Sequence, residues 1–130
     1  MVKIRVRFAE TDAMGIVHHS NYLKYFEEAR VEWLKTHGMS YRDWMSQGVH
    51  LPVIAANIQY KKPARFEDIL AIKAVPHREK ARIIFSYEVF LEPNNTLIAT
   101  GETQHVPVDD EMHIVRLPKN WADVIDESAR

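Results

Sequence analysis

Along the first eight residues Val2, Ile4, Val6 and Phe8 alternate with Lys3, Arg5 and Arg7. That is the period of a strand with one buried face, so the chain is predicted to open with a strand. The segment Ala9-Glu10-Thr11-Asp12-Ala13-Met14-Gly15 follows, and Gly15 can adopt backbone angles closed to other residues. The period then changes. Between Ser20 and Thr36, Tyr22, Tyr25, Phe26, Ala29 and Trp33 fall within about 100° of one another on a helical wheel, while Lys24, Glu27, Glu28, Glu32 and Lys35 lie elsewhere. A helix with one broad aromatic face is predicted, stopped at Gly38. Ser40 starts a shorter helical stretch through Tyr41, Trp44 and Met45 that ends near Gly48.

After Gly48 the pattern returns to strands, over roughly 49–61, 68–76, 81–92 and 96–108. Ile83, Phe85, Tyr87, Val89 and Leu91 mark one face of the clearest of them. Pro93-Asn94-Asn95 makes a turn, and Pro63, Pro76 and Pro107 are expected at or near strand ends, where a missing N–H does least harm. Strands joined this closely pair antiparallel. Pro118 opens a last amphipathic helix carrying Trp121, Val124 and Ile125. One strand, one long helix and four strands give an α+β class, with the sheet wrapped around the aromatic face of the helix. The helix, about 25 Å long at 1.5 Å per residue, can cross five strands spaced about 4.8 Å apart.

Composition narrows this further. A chain of 130 residues, 46% hydrophobic and 27% charged, fits one globular domain over residues 1–130. A net charge of −1 gives no basic excess to attract nucleic acid or an anionic membrane as a whole, so an anionic ligand needs a local patch. The absence of cysteine removes thiolate nucleophiles, disulfides and cysteine metal sites, and suits a reducing compartment. No stretch has the hydrophobic core of a signal peptide or the roughly 18 apolar residues of a membrane span. A cytoplasmic protein is expected.

The stretch from Glu10 to Tyr22 carries the candidate chemistry, because it delivers an acid and two histidines to the start of a helix. Helix N-termini present unpaired N–H groups and a partial positive potential. A thioester carbonyl pointed at such a donor gains stabilisation of its oxyanion, and a nearby carboxylate can attack the carbonyl or deprotonate water. By spacing alone Asp12 reads more readily as a turn or capping residue. Ser20 and Asn21 are capping types, with Ser20 the preferred cap. Adjacent histidines, His18 and His19, do not match the spacing of a zinc pair on a helix, so no metal is expected. The aromatic face from Tyr22 to Trp33 reads as core.

The string Thr11-Asp12-Ala13-Met14-Gly15-Ile16-Val17-His18-His19-Ser20-Asn21-Tyr22, followed by Phe26-Glu27-Glu28-Ala29-Arg30, resembles the acyl-CoA thioesterases of the 4-hydroxybenzoyl-CoA thioesterase type, including the branch associated with the Tol-Pal system. Tyr60-Lys61-Lys62-Pro63-Ala64-Arg65-Phe66-Glu67-Asp68 is similar to that family's Y-x-x-P-A-x-x-x-D segment. The resemblance implies a hotdog fold, in which a five-stranded antiparallel sheet wraps one long central helix. It places the catalytic carboxylate on Asp12 and the carbonyl-polarising backbone N–H on His19, and leaves open whether Asp12 acts as nucleophile or general base. It gives Gly15 the task of bringing Asp12 close to substrate. It implies no cofactor, and a homodimer or homotetramer with active sites at the subunit interface.

Basic residues are needed for the phosphates of an acyl-CoA substrate. Lys61, Lys62 and Arg65 are the candidates, with Arg78, Lys80 and Arg82 as rivals. Two other functions share the fold: hydration or dehydration of an acyl thioester, and non-catalytic binding of one. The Asp-x-x-Gly-x-Val-x-His string favours the hydrolase, releasing free acid and CoA. The acyl group, and the choice between CoA and acyl carrier protein, stay open.

Overall fold

The computed structural model describes residues 1–130. Its elements in chain order are β1 (Val2–Arg5), a 3-10 turn (Phe8–Glu10), α1 (Asn21–Thr36), α2 (Tyr41–Ser46), β2 (Val53–Tyr60), β3 (Ile69–Glu79), β4 (Arg82–Leu91), β5 (Thr96–His105) and α3 (Lys119–Ser128). The five strands form one sheet in the order β1-β3-β4-β5-β2, and every neighbouring pair is antiparallel. With α1 packed across it, this is the hotdog arrangement.

The aromatic face of α1 makes the core. Tyr22, Tyr25, Phe26 and Ala29 are buried, and Phe26 stacks flat on Tyr87 of β4 with ring centroids 4.2 Å apart. Phe26 also lies directly over Gly101 of β5, where a Cβ would come within 2.4 Å of its ring. Only glycine leaves room there. Trp33 extends the same face, packing edge-on against Phe85. At the other end Trp44 of α2 stacks on Trp121 of α3 at 4.6 Å, which closes the core beneath the second half of β3. Aromatic pairs of this kind add about 1 kcal/mol each beyond their buried area.

Two expectations shift. The predicted first strand of the long series, 49–61, begins only at Val53, because residues before it turn to bridge His50 with Val108. Pro76, expected at a strand end, lies inside β3. Beyond Ile72 that strand has no partner on its outer edge, so the missing N–H costs no ladder bond.

Strand β2 is the other edge, and α1 does not cover it. Nearly all its residues are exposed, and Val53 and Ile54 are each 49% accessible.

A buried polar chain crosses the core: Tyr87 to Thr103 (2.6 Å), Thr103 to His105 (2.8 Å), and His105 Nδ1 to the Leu51 carbonyl (3.2 Å). Burial, reinforced by the Arg30 charge, holds the His105 imidazole down at about 4. The folded chain therefore keeps this imidazole neutral to about pH 4, whereas the unfolded chain protonates it below about pH 6.5. Stability falls as pH drops through that window and is unaffected above it. The expected loss is roughly 3 kcal/mol by pH 4. Urea unfolding across this range should decline less steeply in His105→Gln, whose side chain does not titrate.

Candidate active site

Glu10 organises the loop between β1 and α1. Its carboxylate accepts the Arg7 N–H (2.8 Å), the Arg7 guanidinium (3.2 Å from both Nε and Nη2) and the Tyr25 hydroxyl (2.9 Å). Its backbone carbonyl accepts the His18 N–H (2.8 Å) and the Asn21 amide (2.9 Å). One residue thus ties the exit of β1 to the first turns of α1. Burial alone would raise the Glu10 carboxyl, but the bonds from Arg7 and Tyr25 hold it below its ordinary value. The same burial and the Glu10 charge push the Tyr25 phenol well up.

Between these anchors the chain makes a tight excursion closed by the Thr11–Val17 bridge. Asp12 N donates to the Ile16 carbonyl (2.8 Å), and Gly15, at φ 77°, turns the chain back. The excursion is fastened to the segment before β3, where Ile16 pairs with Arg65 and Val17 N donates to the Ala64 carbonyl (2.8 Å). Asp12 is half-buried. Its Oδ1 accepts the Met14 N–H at 2.8 Å and the Ile16 N–H at 3.4 Å, and its Oδ2 accepts none. The turn role read from spacing is therefore real, and it uses one oxygen while leaving the other free.

His18 and His19 precede the helix, which starts at Asn21, and their rings lie together at 4.1 Å. Ser20 does not cap: its backbone is already helical and its hydroxyl bonds to His18 Nδ1 at 2.8 Å. The side chain that fastens the helix start is Asn21, through Glu10. The His19 N–H donates to no acceptor within the chain, whereas the His19 carbonyl accepts the Tyr22 N–H (3.3 Å) and the Tyr60 hydroxyl (3.2 Å). The carbonyl side of this residue is held, and its amide is open.

Asp12, His19, Tyr22, Tyr60, Lys61 and Lys62 share a cavity of about 360 Å³ between the helix start and the end of β2. Lys61 and Lys62 are exposed, with no carboxylate paired to them. Gly15 and Arg65 stand outside its lining: Gly15 shapes the turn, and Arg65 contributes its backbone to the Ile16 pairing. The rival cations lie at the β3–β4 hairpin, the far end of the sheet. There Arg78 forms a two-pronged pair with Asp126, and Arg82 bonds Gln104. A separate hollow of about 410 Å³ at that end is bounded by Arg78, Lys80 and Arg116 and contains none of the loop residues.

Sequence patterning misses Glu10, Tyr60 and the hydroxyl of Tyr22. Tyr22 is core by burial, yet its hydroxyl makes no hydrogen bond within the chain and the residue lines the cavity. Burial, and then Tyr60, push its phenol up to about 12, so it stays protonated at neutral pH. No periodicity marks such a group, because a tyrosine on an apolar helix face looks the same whether its oxygen meets protein or a cavity.

Comparison with known proteins bears on this loop and on the whole fold. The profile of the thioesterase-like superfamily matches residues 6–127. The chain is 32% identical over 119 residues to the acyl-CoA thioester hydrolase YbgC of Escherichia coli O157:H7, covering 90% of this chain and 88% of that one. Its structure is similar to that of a hypothetical protein from Aquifex aeolicus, with a TM-score of 0.89, 37% identity, and 96% and 98% of the two chains covered. It is also similar to a DHNA-CoA thioesterase from Staphylococcus aureus, with a TM-score of 0.89, 32% identity, and 95% and 85% covered.

Glu10→Ala strands the Tyr25 hydroxyl and the Arg7 amide without an acceptor. A loss of about 2–3 kcal/mol in urea unfolding is expected, with Glu10→Gln, which keeps an acceptor, losing less than half as much.

Proposed function

The chain belongs to the thioesterase-like superfamily, and from that premise we propose that it hydrolyses acyl-CoA at the cavity holding Asp12 and His19. It is a thioester hydrolase. One observation carries the site: a free carboxylate oxygen and a free backbone N–H line one cavity at the start of α1.

In this reading the thioester carbonyl accepts the His19 N–H, where the end of α1 adds its positive potential. As the carbonyl carbon becomes tetrahedral, charge collects on its oxygen and that hydrogen bond strengthens, an effect worth about 3 kcal/mol. The His18 carbonyl, in the same peptide group as that N–H, accepts the Asn21 N–H (3.0 Å), which keeps the group from rotating away. Asp12 Oδ2 acts on the carbonyl carbon directly, or takes a proton from the water that does. Both routes consume one water and release a carboxylic acid and the CoA thiol. Oδ1, tied to Met14 and Ile16, fixes the carboxylate. Lys61 and Lys62 at the mouth meet the phosphates of CoA, and Arg65 lies further along the same segment.

The working form is a homodimer or homotetramer in the cytoplasm. The uncovered strand β2 supports this, since an exposed edge with half-exposed Val53 and Ile54 invites pairing with a second copy. No helix of the chain is long and apolar enough to cross a membrane.

Asp12→Asn keeps the turn acceptor and removes the charge. Thiol release from a panel of acetyl-, hexanoyl-, palmitoyl- and 4-hydroxybenzoyl-CoA is expected to fall by about a hundredfold or more while unfolding is little changed. Undiminished turnover in this variant would remove Asp12 from the mechanism.

A further inference from the structure

The space between α1 and β2 holds a cation that the proposed reaction leaves unused. The Arg30 side chain is only 11% exposed, and its one close partner is the Tyr87 hydroxyl, which accepts from Nη1 at 3.0 Å. The nearest carboxylate, Glu27, stands off at 4.0 Å and is itself largely in solvent. A guanidinium has five N–H donors, and those not bonded to Tyr87 are not buried, since Trp44 Nε1 is the one buried side-chain polar atom without a partner. These donors open onto the groove and are available to a ligand there.

The seat of this guanidinium is rigid, and proton counting gives its direction. The Leu51 carbonyl can only accept, so His105 Nδ1 carries the hydrogen (3.2 Å). His105 is neutral above about pH 4, so its Nε2 accepts from Thr103, whose only proton is thereby used (2.8 Å). Tyr87 must then donate to Thr103 (2.6 Å), which leaves its lone pairs facing Arg30. The ring of Tyr87 is clamped flat against Phe26.

Arg30 borders two hollows, of about 210 and 320 Å³, whose walls mix apolar Leu23, Val31 and Val53 with Lys24 and the Glu27 side chain. The same two elements, α1 and β2, supply Tyr22 and Tyr60 to the Asp12 cavity. Arg30 follows His19 by eleven positions, about 16 Å along the helix axis. Arginine on a helix leans back toward the N-terminus, which brings its head nearer to the thioester position.

We propose that Arg30 forms the polar end of the acyl pocket. It receives an oxygen carried at the far end of a medium-length acyl group, and so favours oxygenated acyl thioesters over plain alkyl ones. The proposal rests on the reading of Asp12 and His19 as the hydrolytic site.

Suberoyl-CoA and octanoyl-CoA test it, since both have eight carbons and only the first ends in a carboxylate. With thiol release as the readout, wild type should favour suberoyl-CoA in kcat/KM by about tenfold or more, as a site built around a hydrogen bond should. Arg30→Met, close in length, should lose or reverse that ratio. Tyr87→Phe, which keeps the cation but frees its seat, should lower it part-way, and provides the test if the Met variant does not fold. A wild-type ratio near one, or an unchanged ratio in a folded Arg30→Met, overturns the proposal. So does an unchanged ratio with loss of the oligomer in sedimentation, which would make Arg30 a subunit contact. Failure to cleave either substrate overturns the Arg30 proposal alone, and failure on every acyl-CoA of the wider panel overturns the Asp12 reading as well.

Discussion

The seating of Phe26 on the sheet is the constraint from which most of the structure follows. Its ring lies flat on Tyr87 and fills the space a side chain at Gly101 would need. That contact fixes both the height of α1 above the sheet and its rotation. Tyr22, one turn earlier, and the adjacent Tyr25 then face the loop that leaves β1, and Arg30, one turn later, faces the groove beside β2. The polar chain from Tyr87 through Thr103 to His105 is anchored by the same stack, so burial and hydrogen bonding reinforce each other across α1, β4 and β5. A buried chain of this kind is costly when any member lacks a partner, and here each donor has one acceptor.

Glu10 transfers that rigidity to the candidate site. Through Tyr25 and Asn21 it locks the loop to the helix, and through Arg7 it closes the turn that follows β1. The chain can then spend its remaining conformational freedom on one tight excursion, closed at Thr11 and Val17, that presents Asp12 and the His19 amide to a common cavity. Asp12 does two things with its two oxygens. One organises the turn and the other is unbonded, so the turn reading and the proposed catalytic one are compatible.

Much of this is legible in the sequence. The alternation in Val2–Phe8 and the aromatic stripe of Tyr22, Phe26 and Trp33 specified a strand and a helix with one buried face, because side-chain period follows directly from backbone geometry. The helix start at Ser40 is equally plain, and there the Ser40 hydroxyl caps α2 by accepting the Asp43 N–H. Ser20 misled because a capping residue type is only a capacity: its hydroxyl was taken by His18, and Asn21 found a better acceptor in Glu10. Pro76 misled because the harm of a missing N–H depends on whether a neighbouring strand is present, which one strand's sequence does not reveal.

Sequence by itself determined the α+β class, the order of elements, the aromatic face of α1 and the candidacy of Asp12 and His19, all of which depend on local period or on a contiguous motif. Tertiary structure alone decided that Glu10 is the hub, that Tyr22 turns its hydroxyl into a cavity, and that Arg30 is sheltered beside β2 with one acceptor. Glu10 reaches a partner 15 positions away, Arg30 one 57 positions away, and Tyr22 meets a cavity. Neither leaves a periodic trace in the chain, because the partner of a buried polar group is chosen by packing and not by the group's own neighbours.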